Sequence, residues 1–271
     1  MIGLLKSGDG AASLLFGGFW LLLLALAAAE TLRPLHQAPV EGRGRLVTNF
    51  AMGLIAALLY TLLPLTSVAA AGWARIEGVG LLNMAAVPEV AAAAATILAW
   101  SLVNYWLHRA FHRWAWLWRL HRIHHSDTAV DLSTGFRNHP GEVVAVALLR
   151  AALAVALGLS VPGLIVYEAA AFAAVMWSHA NLRLPAAADR ALRWLLVTPA
   201  MHHVHHSSAR AETDSNYGEL LSVWDRLFGT YRASDSASVA GMRLGLGEAG
   251  DSGAASLRRQ LLAPLARSER G

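Results

Sequence analysis

The chain contains no cysteine and few charged residues. Without thiols it has no disulfide, no thiolate metal ligand, no iron–sulfur cluster and no cysteine nucleophile. Asp, Glu, Lys and Arg make up 15% of its 271 residues, whereas an ordinary soluble domain carries about a quarter. The apolar fraction is 56%, so the composition favours a lipid environment. No motif interleaves aromatic and basic residues, and nucleic-acid binding is therefore not expected.

Long uncharged runs predict membrane helices. Three runs are long enough to cross the hydrocarbon core, at residues 11–29, 46–72 and 90–107. Two shorter runs, 143–159 and 161–178, carry one charge each and predict a tilted or re-entrant hairpin. We therefore expect an all-α integral membrane protein of about four to five transmembrane or re-entrant helices. A cytoplasmic, histidine-rich helical cap completes the predicted fold.

The first run is interpreted as a retained span rather than a signal peptide, because no small-residue cleavage pattern precedes a soluble domain. Residues 1–231 are predicted to form a single domain. Residues 232–271 are rich in Gly, Ser and Ala and predict a loose tail, in which 257–265 is a possible surface helix.

Basic residues predict the orientation of the spans. They concentrate in the connector 30–45 and after the third span, as Arg33, Arg43, Arg45, Arg109, Arg113, Arg119 and Arg122. The positive-inside rule places both blocks in the cytoplasm, and counting the spans gives the same result. The hairpin then returns the chain to the cytoplasmic side at His179. The use of Ala, Leu and Arg hints at a bacterial source, and thus at an inner membrane.

Eleven of the twelve histidines lie between residues 108 and 206. Eight of them recur at helical spacings of three and four residues, which bring side chains to one face: His108, His112, His121, His124, His125, His202, His205 and His206. Neutral imidazole suits Fe, Zn, Cu or Ni. Eight such ligands exceed what one ion accepts, so two ions are the economical solution.

Four further histidines are weighed individually. His179 is predicted to be a ligand because the topology brings it to the other blocks. His139 is either a ligand or a loop residue that lines the site. His203 faces away from its neighbours on a helix and is excluded, as is the distant His36.

Three carboxylates, Glu142, Asp214 and Asp225, are candidate partners that fix the tautomers of metal-bound imidazoles. Helix capping or pairing with an arginine is the alternative for each. The spacing alone also occurs in zinc proteases, but those need Glu after the first histidine, where this chain has Arg109.

Four blocks occur in an order that resembles the fatty acid hydroxylase superfamily, often called the sterol desaturase family. They read H-R-A-F-H from His108, L-H-R-I-H-H-S from Leu120, T-P-A-M-H-H-V-H-H-S from Thr198, and D-S-N-Y-G from Asp214 followed by L-S-V-W-D-R-L-F-G-T-Y. The resemblance covers about residues 104–231, which it marks as the catalytic core. The first ninety residues resemble the family only in being membrane spans.

The resemblance implies a membrane-bound di-iron enzyme that hydroxylates or desaturates an unactivated C–H bond of a fatty acid, sterol or ether-type lipid. Two Fe ions, for which Zn may substitute in a purified sample, and O2 as co-substrate are implied. It places nine histidines in the metal shell, the eight above and His179, with His139 as a further candidate.

Electrons must come from a separate reductase, ferredoxin or cytochrome, because no flavin, nicotinamide or haem motif is present. The arginines at 109, 113, 119 and 122 offer a face for an acidic donor or, alternatively, for lipid headgroups. Two other classes remain open, a zinc-dependent membrane lipid hydrolase and a non-catalytic membrane metal-binding protein.

Overall fold

A computed structural model describes residues 10–37, 43–63, 66–85, 87–247 and 253–266. Within these ranges the chain is helical and contains no strand, only isolated β-bridges. Four stretches are long and apolar enough to cross a membrane: Arg43–Met84, Glu89–Arg113, Pro140–Leu157 and Val161–His179. The predicted all-α membrane fold is confirmed.

The amino-terminal half contains α1 (Gly10–Leu32), α2 (Arg43–Leu62), α3 (Ser67–Ile76) and α4 (Leu81–Met84). The apolar part of α1 whose side chains are described, Gly17–Leu32, is shorter than a full crossing. The predicted span 46–72 falls within the stretch Arg43–Met84, whose described residues form α2 and α3. The hydroxyl of Thr66 caps the start of α3 by accepting from the Ala69 amide, which begins a new helix there.

The long helix α5 (Glu89–Arg113) runs directly into the histidine-rich region and is followed by α6 (Ala115–His125). Its 25 residues span about 37 Å. Arg75 pairs with Glu89 at 3.0 Å, and the Ser160 hydroxyl donates to Glu89 at 2.7 Å. The α3–α4 turn and the later hairpin turn therefore lie at one end of α5, and the histidines lie at the other.

The predicted hairpin consists of α7 (Pro140–Leu157) and α8 (Val161–His179). Gly158 adopts a left-handed conformation with φ 62° and ends α7, while the Ser160 hydroxyl caps α8 by accepting from the Gly163 amide. Trp100 and Tyr167 are fully buried between α5 and α8, beside α3 and α7. Both hairpin helices are long and apolar enough to cross, so neither is short for a membrane.

The outer faces of the long helices expose large apolar side chains. Leu21, Leu24, Leu54, Ile165 and Val166 are each at least 50% exposed. A soluble protein rarely leaves such a continuous apolar surface uncovered, so these faces are suited to lipid contact.

Short helices cover the histidine end: α9 (Ala186–Leu192), α10 (Pro199–His205), α11 (Arg210–Thr213), α12 (Val223–Leu227), α13 (Ser236–Ala240) and α14 (Leu257–Leu262). Two 3-10 helices, Leu132–Phe136 and Ala263–Leu265, complete this layer. Within the segment predicted to be a loose tail, Val239 and Gln260 are buried. Val239 packs on Ala200 and Val204, and Gln260 accepts from the Ser126 hydroxyl at 3.0 Å.

Candidate metal centre

Nine predicted ligands come from four helices whose ends meet at one side of the bundle. They lie near the C-terminal ends of α5, α6 and α8, and in α10 with its C-terminal cap: His108, His112, His121, His124, His125, His179, His202, His205 and His206. The helical spacings of three and four residues turn the imidazoles of each block towards the other blocks. The structure arranges these nine side chains in two groups.

Site A, the larger group, consists of His108, His112, His121, His125 and His205. One ring nitrogen from each lies within 4.8 Å of the corresponding nitrogens of the others. The Nε2 atoms of His108, His121 and His125 are buried and have no hydrogen-bond partner among the described residues. Buried polar atoms without a partner are rare in proteins, so their convergence indicates a place for a cation.

Oxygen acceptors hold the opposite ring nitrogens of site A. The Nδ1–H groups of His108 and His205 donate to the backbone carbonyls of Tyr217 and Ser215, at 2.8 and 2.7 Å. Carbonyl oxygens can only accept, so these rings carry their proton on Nδ1 and present a lone pair at Nε2. This arrangement fixes both the tautomer and the orientation that a metal ligand requires.

Two of the three predicted carboxylates occupy equivalent positions in site A. The Glu142 carboxylate lies 2.7 Å from Nδ1 of His121, and the Asp214 carboxylate lies 3.4 Å from Nδ1 of His112. Asp214 also pairs with Arg210, so both of its anticipated roles are present.

Site B consists of His124, His179, His202 and His206, all of them buried. Nε2 of His179 lies 3.0 Å from Nε2 of His124, 3.0 Å from that of His202 and 3.2 Å from that of His206. Ligands about 2.05 Å from a tetrahedral ion would be about 3.3 Å apart, which is close to this spacing. The Nδ1–H of His179 donates to the Val175 carbonyl at 2.7 Å, so its Nε2 faces the group as a lone pair.

The two sites are direct neighbours. His124 and His125 are consecutive in α6, and His205 and His206 are consecutive at the end of α10. The rings of His125 and His206 stack with their centroids 4.5 Å apart. Adjacent residues thus supply separate sites, as a two-metal centre requires.

Burial keeps these imidazoles neutral. Desolvation, reinforced by neighbouring imidazoles, lowers the pKa of His124, His125, His202 and His206 well below its usual value. Neutral imidazole is the form that binds metals. An all-nitrogen donor set with buried, convergent lone pairs fits two first-row transition ions such as iron or zinc.

The structure does not support His139 as a further ligand. Its Nδ1 accepts from the Gly141 amide at 3.0 Å, and its Nε2–H donates to the Leu261 carbonyl at 3.2 Å. Both ring nitrogens are therefore occupied, and His139 lies outside both sites. It acts instead as the N-terminal cap of α7.

His203 and His36, which were excluded as ligands, also lie outside both sites. Their rings stack with an interplanar angle of 12° and centroids 5.1 Å apart. Nε2–H of His203 donates to the carbonyl of His179 at 3.1 Å. His203 therefore fixes the backbone at one ligand of site B without itself belonging to that site.

The third predicted carboxylate, Asp225, binds the loop behind His108 and acts one step further out than Glu142 and Asp214. It accepts from the amides of Tyr217 and Gly218 at 2.7 and 2.8 Å and from the Thr230 hydroxyl at 2.7 Å. These bonds shape the loop whose Tyr217 carbonyl orients His108. The sequence did not predict the carbonyls of Ser215 and Tyr217 as acceptors, because every residue has a backbone carbonyl and no side chain identifies these two. Both lie in the D-S-N-Y-G block.

Arg137, which binds the C-terminal end of α6, was also not identified from the sequence. It is fully buried and donates to the carbonyl of Ile123, the hydroxyl of Ser126, the side chain of Asn49 and the carbonyl of Ala254, at 2.7 to 2.9 Å. One guanidinium thereby ties the histidine-bearing helix to α2 and to the carboxy-terminal segment.

A cavity of about 250 Å³ adjoins both sites. It reaches between α2, α5, α7 and α8, and histidines of both sites line it, among them His121 and His179. Apolar walls are supplied by Leu107, Phe111 and Val146. A cavity of this kind can place an apolar chain beside the metal centre.

The family model described as "Fatty acid hydroxylase" matches residues 93–230, which is 138 of the 271 residues. The chain is 30% identical over 143 residues to alkylglycerol monooxygenase of Homo sapiens, covering 51% of this chain and 30% of that protein. It is 32% identical over 128 residues to ornithine lipid hydroxylase OlsE of Rhizobium tropici, covering 47% of this chain and 38% of that protein.

Fatty acid hydroxylase vlmA of Lecanicillium sp is a further relative, 32% identical over 139 residues, covering 46% of this chain and 38% of that protein. The matches span about a third of the length of these curated relatives. No solved structure matches the chain.

Proposed function

Because the chain belongs to the fatty acid hydroxylase family, we propose that it is a membrane-bound oxygenase that inserts oxygen into an unactivated C–H bond of a lipid. The observation that carries this proposal is the pair of buried histidine sites beside a cavity that lies between membrane-spanning helices. Desaturation of the same bond is the related outcome, and the two share their first requirement, removal of a hydrogen atom.

The proposed cofactor is a pair of iron ions, one in each site. When bound, iron supplies the redox chemistry with O2 that side chains cannot provide. Hydroxylation consumes the lipid, O2, two electrons and two protons, and yields an alcohol and water. Desaturation takes the same reactants to an alkene and two waters.

The chain itself holds and orients the imidazole ligands, excludes water from the centre and binds the lipid. Glu142 and the carbonyls of Tyr217 and Ser215 fix three imidazoles of site A, those of His121, His108 and His205, in one tautomer. Burial of the ligands removes competing water. The apolar walls of the cavity accept the hydrocarbon part of a lipid that enters from the bilayer.

The electron donor is proposed to be a separate reductase, ferredoxin or cytochrome. Arg113 and Arg119 are exposed near the metal centre, beside the exposed Trp114 and Trp116. An acidic donor would be attracted to this face. We place the centre on the cytoplasmic side of a bacterial inner membrane, where the basic residues favour it.

The test combines metal analysis with product analysis. Protein purified without added metal is assayed for iron and zinc, and then supplied with membrane lipid extract, a reductant and 18O-labelled O2. We expect about two irons per chain, O2 uptake that depends on lipid, and a product that carries 18O or a new double bond.

Two results would contradict the proposal. Stoichiometric zinc with product formation under strict anaerobiosis would identify a lipid hydrolase. Bound metal without any conversion of the lipid extract, in the presence of O2 and reductant, would identify a non-catalytic metal-binding protein.

A further inference from the structure

The cavity beside the metal centre has a polar end that none of the proposed metal ligands occupies. The cavity is lined at this end by Arg150, Glu219, Asn104 and Tyr60, and elsewhere by histidines of both metal sites. Arg150 lies on α7, eight residues after Glu142, which places its backbone about 12 Å further along the helix axis from the carboxylate that orients His121. The polar end therefore lies deeper among the membrane-spanning helices than the metal sites do.

Arg150 forms a partly buried ion pair that is held from several sides. Its Nη2 lies 2.6 Å from the carboxylate of Glu168 on α8. The same carboxylate oxygen accepts from the indole N–H of Trp100 and the hydroxyl of Ser67, each at 3.0 Å. The guanidinium lies 5.1 Å from the centroid of the Trp100 ring, and its Nε has no hydrogen-bond partner among the described residues.

Glu219 and Asn104 complete the polar end. Asn104 donates to the Tyr167 hydroxyl at 2.9 Å, and that hydroxyl lies 3.5 Å from the Glu219 carboxylate. Glu219 follows Tyr217, whose carbonyl orients His108, by two residues. Burial raises the pKa of Glu219 to about 7, although the nearby Arg150 guanidinium opposes this.

Ionisable residues between membrane helices are costly. Such groups are therefore expected to serve a function. Arg150 and Glu219 both open onto a cavity that also reaches the histidines, so substrate recognition is the function that their position supports.

We propose that Arg150, Glu219 and Asn104 bind an uncharged hydroxyl group of the lipid substrate. This inference rests on the proposed lipid oxygenase function and specifies its substrate class. A hydroxyl can donate to the Glu219 carboxylate while it accepts from the Nε–H of Arg150 or the amide of Asn104. It satisfies the guanidinium donor without adding charge.

The charges disfavour a carboxylate or phosphate at this position. Glu168 already balances Arg150 at 2.6 Å, and Glu219 adds a second acidic group. A bound anion would face both carboxyl groups with only one guanidinium to share. A lipid without any polar group would leave the buried donors and acceptors unsatisfied.

The geometry also limits which carbon reacts. Asn104 precedes His108 by one helical turn, about 6 Å, and Arg150 lies about 12 Å along its helix from Glu142. A hydroxyl held between them leaves the reacting carbon within roughly 10 Å of it. The oxidised position is therefore expected within about 10 Å of the hydroxyl rather than at the far end of a long chain.

The experiment uses the metal-loaded protein in detergent micelles and three probes with the same saturated chain, ending in a primary alcohol, a carboxylate or a methyl group. Binding is measured without O2 or reductant, so that no turnover is needed. We expect the alcohol to bind about ten-fold more tightly than the other two, which corresponds to about 1.4 kcal/mol.

Replacing Glu219 tests the assignment directly. Glu219→Leu is expected to abolish the preference for the alcohol, and Glu219→Gln to retain most of it. If Glu219→Leu does not fold, Asn104→Leu takes its place and is expected to reduce the preference. Glu77→Leu alters an exposed carboxylate at the opposite end of α5 and serves as the matched control. Metal content is measured for each variant.

Equal binding of all three probes, or an unchanged preference in Glu219→Leu, would overturn the hydroxyl assignment. These outcomes are separable from failure of the proposed function. If lipids are oxidised regardless of their polar group, the oxygenase stands and the assignment is wrong. If the alcohol binds selectively but no lipid is ever oxidised, the assignment stands and the oxygenase function is wrong.

Discussion

At the scale of single residues, the orientation of an imidazole is decided by the partner of its second nitrogen. In site A this partner is a carbonyl, a carboxylate or a hydroxyl. Thr213 illustrates the arrangement, because its hydroxyl donates to the His205 carbonyl at 2.8 Å and its oxygen lies 3.4 Å from Nδ1 of His125. Partners of this kind are expected to set metal affinity as strongly as the ligands do.

Glu142 provides the clearest test of this role. Glu142→Leu removes the acceptor of His121 without removing a ligand, and we expect metal affinity to fall about 10- to 100-fold. Glu142→Gln keeps an oxygen acceptor, so its metal affinity should fall less. Titration with a competing chelator measures the affinity. An unchanged affinity in Glu142→Leu, as in the exposed control Glu77→Leu, would contradict the role.

Glu219 makes a pH-dependent contribution to stability. Its pKa is about 7 in the folded protein and about 4.5 when solvated, so the folded state binds its proton more tightly. Its favourable contribution is complete below about pH 4 and is lost as the pH rises through 7. Relative to Glu219→Gln, the natural protein should lose on the order of 2 kcal/mol between pH 5 and pH 8.

Thermal unfolding of both proteins in detergent at the two pH values measures this difference. Arg150, Glu168 and Tyr167 face Glu219 in both proteins, so their own effects largely cancel. A gap between the two unfolding midpoints that does not change with pH would show that Glu219 does not titrate in this range.

At the scale of secondary structure elements, close approach of backbones determines how the hairpin sits against the amino-terminal helices. Gly80 has φ 94°, and a Cβ at this position would lie 2.3 Å from the Val155 carbonyl and 2.4 Å from Gly158. Only glycine permits this contact. The contact fixes the turn before α4 against the end of α7.

Gly80→Ala is therefore expected to destabilise the protein by about 1–3 kcal/mol, through both backbone strain and the clash. Gly78→Ala is a matched control, because Gly78 also has a positive φ of 66° but nothing lies within 4 Å of its Cβ position. It carries the strain without the clash. Equal unfolding midpoints for the two variants would show that the close approach is unimportant.

The sequence predicted helices, ligand blocks and their convergence because these depend on local spacing and on apolar length. The His121, His124 and His125 block required only helical periodicity. The role of His139 depends instead on two distant or backbone partners, Gly141 and Leu261, which no spacing reveals. The burial of Gln260 was missed for the same reason, since its partner Ser126 lies 134 residues away.

At the scale of the whole molecule, α5 separates two ends that differ in chemistry. The histidine sites and the exposed Arg113 and Arg119 lie at one end. Glu77 and the Arg75–Glu89 pair lie at the other, about 37 Å away along the helix. The basic residues predict that the histidine end is cytoplasmic. This orientation would give a cytoplasmic electron donor direct access to the arginine face.

The absence of cysteine makes this orientation directly measurable, because a single introduced thiol is the only one in the chain. Ala237→Cys, in the exposed part of α13, places it at the histidine end, and Glu77→Cys places it at the opposite end. A thiol reagent that cannot cross membranes should label Glu77→Cys in spheroplasts and Ala237→Cys only in inverted membrane vesicles. The reverse pattern would place the metal centre outside the cytoplasm. Labelling of both thiols from one side would show that α5 does not cross the membrane.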